Sequence, residues 1–178
     1  VWITPMRALA RDTERALAAF LSGIGLPWSV ERRTGDTSSA TRARQRRHLP
    51  EVLVTTPESL ALLLSYGDTA EALGRARTVV VDEWHELLGS KRGVLLELCL
   101  ARLRRRAPEL RTWGLSATLG NLEEAAAVLV GPQRPTPVRL RGDAEKVIRV
   151  DSILPETVDR FSWGGYLGLG SLDGVVRA

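Results

Sequence analysis

The residues best suited to chemistry are two adjacent carboxylates at the end of an apolar run, Val79-Val80-Val81-Asp82-Glu83-Trp84-His85. An Asp leaving a buried strand can hold a magnesium ion, directly or through its waters. The next carboxylate can orient and deprotonate a water for attack on a γ-phosphate. His85 can couple such a site to a neighbouring element. The plainer alternative is an Asp-Glu pair at a strand-to-loop boundary, a common arrangement. Further along, Leu115-Ser116-Ala117-Thr118 again follows a strand-like stretch. Small hydroxyl side chains there can hydrogen-bond the carboxylate loop and sense its state.

Upstream, Thr4-Pro5-Met6-Arg7 places a hydroxyl, backbone amides and a guanidinium at a helix start, an arrangement that attracts anions. Thr34-Gly35-Asp36-Thr37 and Thr55-Thr56-Pro57-Glu58-Ser59 repeat the device. Each alone reads equally well as a helix cap. Three on one rim of a sheet would suit a sugar–phosphate backbone better than base edges.

The elements needed to position these residues follow from periodicity. Strands are predicted at the N-terminus and over 28–33, 51–55, 78–82 and 112–115, with a short one at Val138-Arg139-Leu140. Helices are predicted over 6–24, 38–48, 58–65 (Pro57 at the first turn), 91–107 and 122–130. In the first, Met6, Leu9, Ala10, Leu17, Phe20, Leu21 and Ile24 form the apolar stripe. The wholly apolar Val79–Val81 stretch fits a strand buried on both faces. Alternating strands and helices predict an α/β domain with a parallel sheet, whose chemistry sits at the carboxyl ends of its strands. The domain is expected over 1–143. Residues 144–178, with the Gly-rich stretch Trp163 to Gly170, are expected to form a linker into a further domain.

Composition excludes several classes. The 178 residues are 44% hydrophobic and 26% charged, as in ordinary globular proteins. No apolar run is long enough to span a membrane, and Val1-Trp2-Ile3 lacks the basic start of a signal peptide. A chain opening inside a strand suggests a start within a larger protein. The single Cys99 excludes an internal disulfide and a cysteine-based zinc site, and fits a buried thiol in a reducing, cytosolic setting. The net charge of +4 is modest, but residues 31–50 carry six arginines against Glu31 and Asp36. A solvated helix face and direct nucleic-acid contact both account for that stretch. Arg102, Arg104, Arg105, Arg106 and Arg111 suit the end of a helix. Trp2 and Trp113 are expected in the core and Trp84 behind the carboxylate loop. Trp163 is the tryptophan to test for base stacking.

Taken together, the motifs resemble superfamily 2 helicases. Thr4-Pro5-Met6-Arg7-Ala8-Leu9 is similar to motif Ia, and Thr34-Gly35-Asp36 with Thr55, Pro57, Glu58 and Ser59 to the Ib region. Asp82-Glu83-Trp84-His85 resembles motif II and Ser116-Ala117-Thr118 motif III. The longer strings Asp82 to Gly93 and Thr112 to Asn121 resemble Lhr-type bacterial helicases, particularly the ligase-associated DNA damage response DEXH-box branch. Two details depart from that pattern. The tail reads Phe161-Ser162-Trp163-Gly164-Gly165-Tyr166 where relatives have Phe-Pro-Trp-Ala-Gly-His, and Leu95 stands where Gln is common.

The resemblance implies a RecA-like parallel sheet flanked by helices and an ATP- and Mg²⁺-dependent motor translocating 3′ to 5′ on DNA in repair. It implies a cytoplasmic, nucleoid-associated bacterial enzyme, with a repair ligase or nuclease as possible partner. Asp82 would organise Mg²⁺ and Glu83 activate water. His85 would complete the catalytic set with them, and Ser116 and Thr118 would couple hydrolysis to movement. Thr4, Pro5, Arg7, Thr34, Gly35, Asp36, Thr56, Pro57 and Glu58 would lie near the nucleic acid. An RNA or RNA:DNA-hybrid substrate and a non-catalytic binding module are the alternatives. No G-x-x-x-x-G-K-[ST] occurs in the sequence. The phosphate loop is therefore expected before Val1, the arginine finger beyond Ala178, and the strand over 111–115 at an unpaired edge of an incomplete sheet.

Overall fold

A computed structural model describes residues 1–117, 120–131 and 137–142. Thr118, Trp163 and the expected linker over 144–178 lie outside the described residues. The chain divides between Val138 and Arg139, and the fold below belongs to the first unit.

Among the described residues, β1 (Trp2–Ile3), β2 (Val30–Arg33), β3 (Val52–Thr55), β4 (Thr78–Val81) and β5 (Arg111–Gly114) form one sheet. All pairings are parallel, in the order β2-β3-β1-β4-β5. The helices are α1 (Arg7–Gly23), α2 (Ser39–Arg47), α3 (Pro57–Ser65), α4 (Gly67–Leu73), α5 (Trp84–Leu87), α6 (Lys91–Arg106) and α7 (Leu122–Val130). Since every strand runs the same way, each loop that leaves a strand end emerges on one rim.

Local chemistry sets the boundaries. The Ser38, Ser90 and Asn121 side chains accept the amides of Thr41, Gly93 and Glu124, capping α2, α6 and α7. Pro57 opens α3, where its missing N–H costs nothing. Helix α1 ends in a Schellman turn. Leu26 N–H bonds Leu21 O, Gly25 N–H bonds Ser22 O, and Gly25 takes φ 71°. Neither α4, framed by Gly67 and Gly74, nor the single turn α5 is long enough to show a helical period.

One sheet face carries Ile3, Leu53, Val79 and Val81 into a core with Leu60, Leu63, Leu96, Leu100 and Leu103. The other face is covered unevenly, and four expectations are corrected here. Trp2, Val80 and Trp113 share that face by register, and Val80 is only half-buried. Trp113 is 52% exposed rather than core, because β5 is an edge strand. In α1, Ala10 and Leu21 are buried, whereas Phe20 and Ile24 are exposed and Met6 lies outside the helix as its cap. The helix rests over β2 and β3, with Glu14 bonded to Arg32, and its apolar stripe is wider than that surface. The strand expected at Val138–Leu140 is not formed. Those residues have no regular structure, and Val138 is 87% exposed.

Candidate functional site

The strand order sorts the candidate residues along the rim. From one edge to the other come Thr34-Gly35-Asp36 after β2, Thr56-Pro57-Glu58 after β3, and Thr4-Pro5-Arg7 after β1. Asp82-Glu83 after β4 and Ser116 after β5 complete the row. The anion-attracting groups thus occupy three neighbouring strand ends and the carboxylates the next.

Asp82 is fixed by its neighbours. Its amide donates to Ile3 O at 2.8 Å, its Oδ1 accepts the Glu83 amide at 3.0 Å, and its Oδ2 accepts Trp2 Nε1 at 3.3 Å. Each carboxylate oxygen therefore keeps a lone pair for a further partner. Glu83 has φ 48° and ψ 47°, a left-handed conformation unusual for a residue with a Cβ. That turn takes the chain sharply from β4 into α5 and leaves the Glu83 side chain partly exposed at the rim. Strain of this kind, about 1–3 kcal/mol, persists only where the surroundings enforce it. Here Trp84 supplies the enforcement. Its ring is buried, its Nε1 donates to Ala125 O at 3.0 Å, and its amide donates to Leu115 O at 2.9 Å.

His85 joins the carboxylate loop to the loop after β5. Its Nδ1 lies 3.0 Å from Ser116 Oγ and 3.4 Å from Glu83 Oε2, and its Nε2 lies 3.5 Å from Glu86 Oε1. Backbone bonds from Leu115 to Val81 and from Trp84 to Leu115 hold the two loops in register.

On the anion-attracting side, Thr4 and Thr56 are buried, and neither hydroxyl caps a helix amide. Thr4 Oγ1 donates to Met6 O at 3.0 Å, and Thr56 Oγ1 lies 3.4 Å from Ser59 Oγ. The first-turn amides of α1 and α3 thus receive no cap from these side chains. Arg7 forms an exposed ion pair with Asp36 at 2.7 Å and lies flat on Gly35, where a Cβ would stand 2.9 Å from its Nη2. Buried Thr34 shapes that loop through the Asp36 and Thr37 amides. Glu58 is bonded through both oxygens to Arg92 in the first turn of α6. Hydrogen bonds from Arg92 hold its carboxyl down to about 2.

The arginine-rich stretch is largely engaged within the protein. Arg44 bonds Glu31 through both nitrogens, Arg42 bonds the carbonyls of Thr34 and Gly35, and Arg33 bonds Arg42 O. Arg46 lies 4.1 Å above the Tyr66 ring. Arg104, Arg105 and Arg106 occupy the last turn of α6, as the helix dipole favours. Cys99 is buried and its thiol is pushed up to about 11 by burial, as an inert core residue.

The sequence reading missed Trp2 as a donor to Asp82, and missed Arg92 and Gly93. A signal for Arg92 existed: a cation in a first helical turn opposes the dipole and asks for a reason. Among the described residues no cluster of three or more His, Cys, Asp or Glu could hold a metal alone. A single carboxylate with open lone pairs suits Mg²⁺, which keeps waters and takes substrate phosphates as its other ligands.

Comparison with known proteins gives the family. Residues 1–125 match the DEAD/DEAH box helicase family. The ATP-dependent helicase Lhr-Core of Methanothermobacter thermautotrophicus is 41% identical over 140 residues, covering 74% of this chain and 16% of that protein. The Lhr helicase/probable uracil glycosylase of Mycolicibacterium smegmatis is 42% identical over 150 residues, covering 78% of this chain and 10% of that one. The structure of Mycobacterium smegmatis helicase Lhr bound to ssDNA and AMP-PNP matches with a TM-score of 0.68 at 41% identity, over 76% of this chain and 19% of that one. The DUF1998 helicase MrfA bound to DNA and AMPPNP matches with a TM-score of 0.67 at 24% identity, over 80% of this chain and 20% of that one, a likeness of fold. The chain spans a small part of the length of each. It belongs to the DEAD/DEAH box helicase family, with a RecA-like sheet and Lhr-type helicases among its relatives.

Proposed function

We propose that this chain is motor-domain sequence of an ATP-dependent DNA helicase or translocase that moves 3′ to 5′ and serves DNA repair, with a ligase or nuclease as a working partner. The observation that carries the reading is the Asp82–Glu83 turn tied through His85 to Ser116, on the same rim as three anion-attracting strand ends.

Asp82, fixed by Trp2 and the Glu83 amide, has the open lone pairs to hold Mg²⁺. Bound there, Mg²⁺ would neutralise charge on the phosphate oxygens of ATP. Glu83, projected onto the rim by its left-handed backbone, orients a water and accepts its proton. His85 and Ser116, with Thr118, transmit a change at the carboxylates to the loop after β5. Thr4, Pro5, Arg7, Thr34, Gly35, Asp36, Thr56 and Pro57 lie along the strand being tracked, with Glu58 beside them. Backbone amides and Arg7 meet phosphates, so recognition follows charge more than sequence.

The 178 residues contain no phosphate-loop motif. By themselves they would turn over ATP at a negligible rate, since the γ-phosphate lacks a lysine cradle. The experiment is ATP turnover and unwinding by the intact protein on matched DNA, RNA and hybrid duplexes carrying 3′ or 5′ tails. The expected result is unwinding of 3′-tailed DNA with turnover stimulated by DNA. Preference for RNA or hybrid duplexes would reassign the substrate, and tight DNA binding without turnover would leave only a binding module.

A further inference from the structure

We propose that Arg92 and Glu58 form a positioning strut that couples the nucleic-acid side of the rim to the carboxylate side. The inference rests on the motor reading above and concerns how its two halves communicate.

Four observations support it. First, the pair joins elements distant in sequence: Glu58 in the first turn of α3, directly after Thr56-Pro57, and Arg92 in the first turn of α6. Both carboxylate oxygens are engaged by Nε and Nη2 of one guanidinium, a forked geometry that resists rotation as a single contact does not. Second, Arg92 stands where a cation is disfavoured. The α6 first turn holds Lys91 and Arg92 and no acidic residue, so its own dipole repels the side chain. Glu58 supplies the missing negative charge and lies equally well at the start of α3. Third, α6 is locked to α5, the turn that carries His85. Ser90 Oγ donates to Leu87 O at 2.7 Å and accepts the Gly93 amide at 3.0 Å. At Gly93 a Cβ would stand only 2.0 Å from Leu87 O, so the start of α6 and the end of α5 meet backbone to backbone. Fourth, α3 and α6 share a closely packed core of Leu60, Leu63, Leu96, Leu100 and Leu103, which transmits displacement rather than absorbing it.

A continuous path therefore runs from Thr56-Pro57 through Glu58, Arg92, Gly93, Ser90 and Leu87 to His85 and Ser116. A shift of α3 when nucleic acid seats on the rim would pull α6 through the fork and tilt α5, moving His85 relative to Ser116 and Glu83. Glu58 then acts through Arg92 rather than by touching phosphate, which its charge would repel. Arg92 is a positioning residue, outside the reacting atoms.

The test uses the intact protein and the variants Arg92→Gln, Glu58→Gln and the double variant. ATP turnover is measured without nucleic acid and at saturating single-stranded DNA. Arg92→Gln is expected to keep the DNA-free rate within about twofold of wild type while DNA-saturated turnover falls about fivefold or more, in the range of coupling free energies. The double variant should lose no more than the larger single loss, because one interaction is removed either way. Arg92→Lys, which keeps the charge without the fork, should recover only part of the loss. Wild-type DNA stimulation in Arg92→Gln, an equal fall in the DNA-free rate, or additive losses would overturn the strut. A wild-type protein that hydrolyses ATP without any response to DNA would overturn the motor reading itself.

Discussion

Replacing Gly93 with alanine tests the backbone junction between α5 and α6 directly. The added Cβ would stand 2.0 Å from Leu87 O and 2.9 Å from Leu87 C. Both neighbours are main chain, so no side chain can swing aside. Relief requires about 1 Å of movement at the end of α5 or the start of α6, on the scale of overpacking strain, about 1–3 kcal/mol. The same carbonyl accepts Ser90 Oγ at 2.7 Å and the Ser90 amide at 3.2 Å, and disturbing these adds about 0.5–1.5 kcal/mol. A total near 2–4 kcal/mol is expected, or roughly 5–12 °C in melting temperature for a domain of this size. Urea unfolding followed by tryptophan fluorescence at low micromolar concentration measures it. Gly67→Ala is the matched control. It opens α4 with nothing within 4 Å of the new Cβ and should be neutral or gain about 0.4–1 kcal/mol. A Gly93→Ala chain as stable as wild type, or a Gly67→Ala chain equally damaged, would refute the packing argument.

Three further outcomes follow from the same structure. The Glu58 carboxyl, held down to about 2 from its usual 4.5, contributes stability above pH 4.5 that is lost as pH falls through 2. Because the pair is half exposed, the contribution is about 0.5 kcal/mol, and carbon-detected NMR titration should show Glu58 returning toward 4.5 in Arg92→Gln. Cys99, buried with a thiol raised to about 11, should resist a thiol reagent at pH 8 until urea unfolds the chain, and immediate modification would contradict its placement. Edge strand β5 exposes Trp113, and Leu115 just past its end is exposed as well, so the 178-residue chain should self-associate, and Trp113→Lys should reduce its light scattering. A sharp cooperative melt with monomeric scattering in the wild-type chain would refute that expectation.

Periodicity revealed the elements wherever an element was long enough to show a period. The helices at 7–23, 39–47, 57–65, 91–106 and 122–130 and the strands between them lie within two residues of the ranges predicted. It failed at α4, whose Gly67 and Gly74 mimic a loop, and at Val138–Leu140, a stretch too short to carry a period and without regular structure. It also placed Trp113 in the core, since alternation in one strand cannot reveal that, among the described residues, its side chain is left half exposed. The candidate site was legible because its residues are concentrated at strand ends in a fixed order. The Glu83 backbone, the Trp2 bond to Asp82 and the Arg92–Glu58 fork were not legible, because each depends on residues brought together by the sheet order.

Glu83 is proposed to activate water beside a metal held by Asp82. Glu83→Gln in the intact protein, assayed for DNA-stimulated ATP turnover and in parallel for nucleotide binding, tests it most directly. General-base catalysis contributes about 10²–10⁴-fold, so turnover should fall by at least that lower bound while nucleotide binding stays within a few-fold of wild type. Turnover at the wild-type rate in this variant would contradict the account.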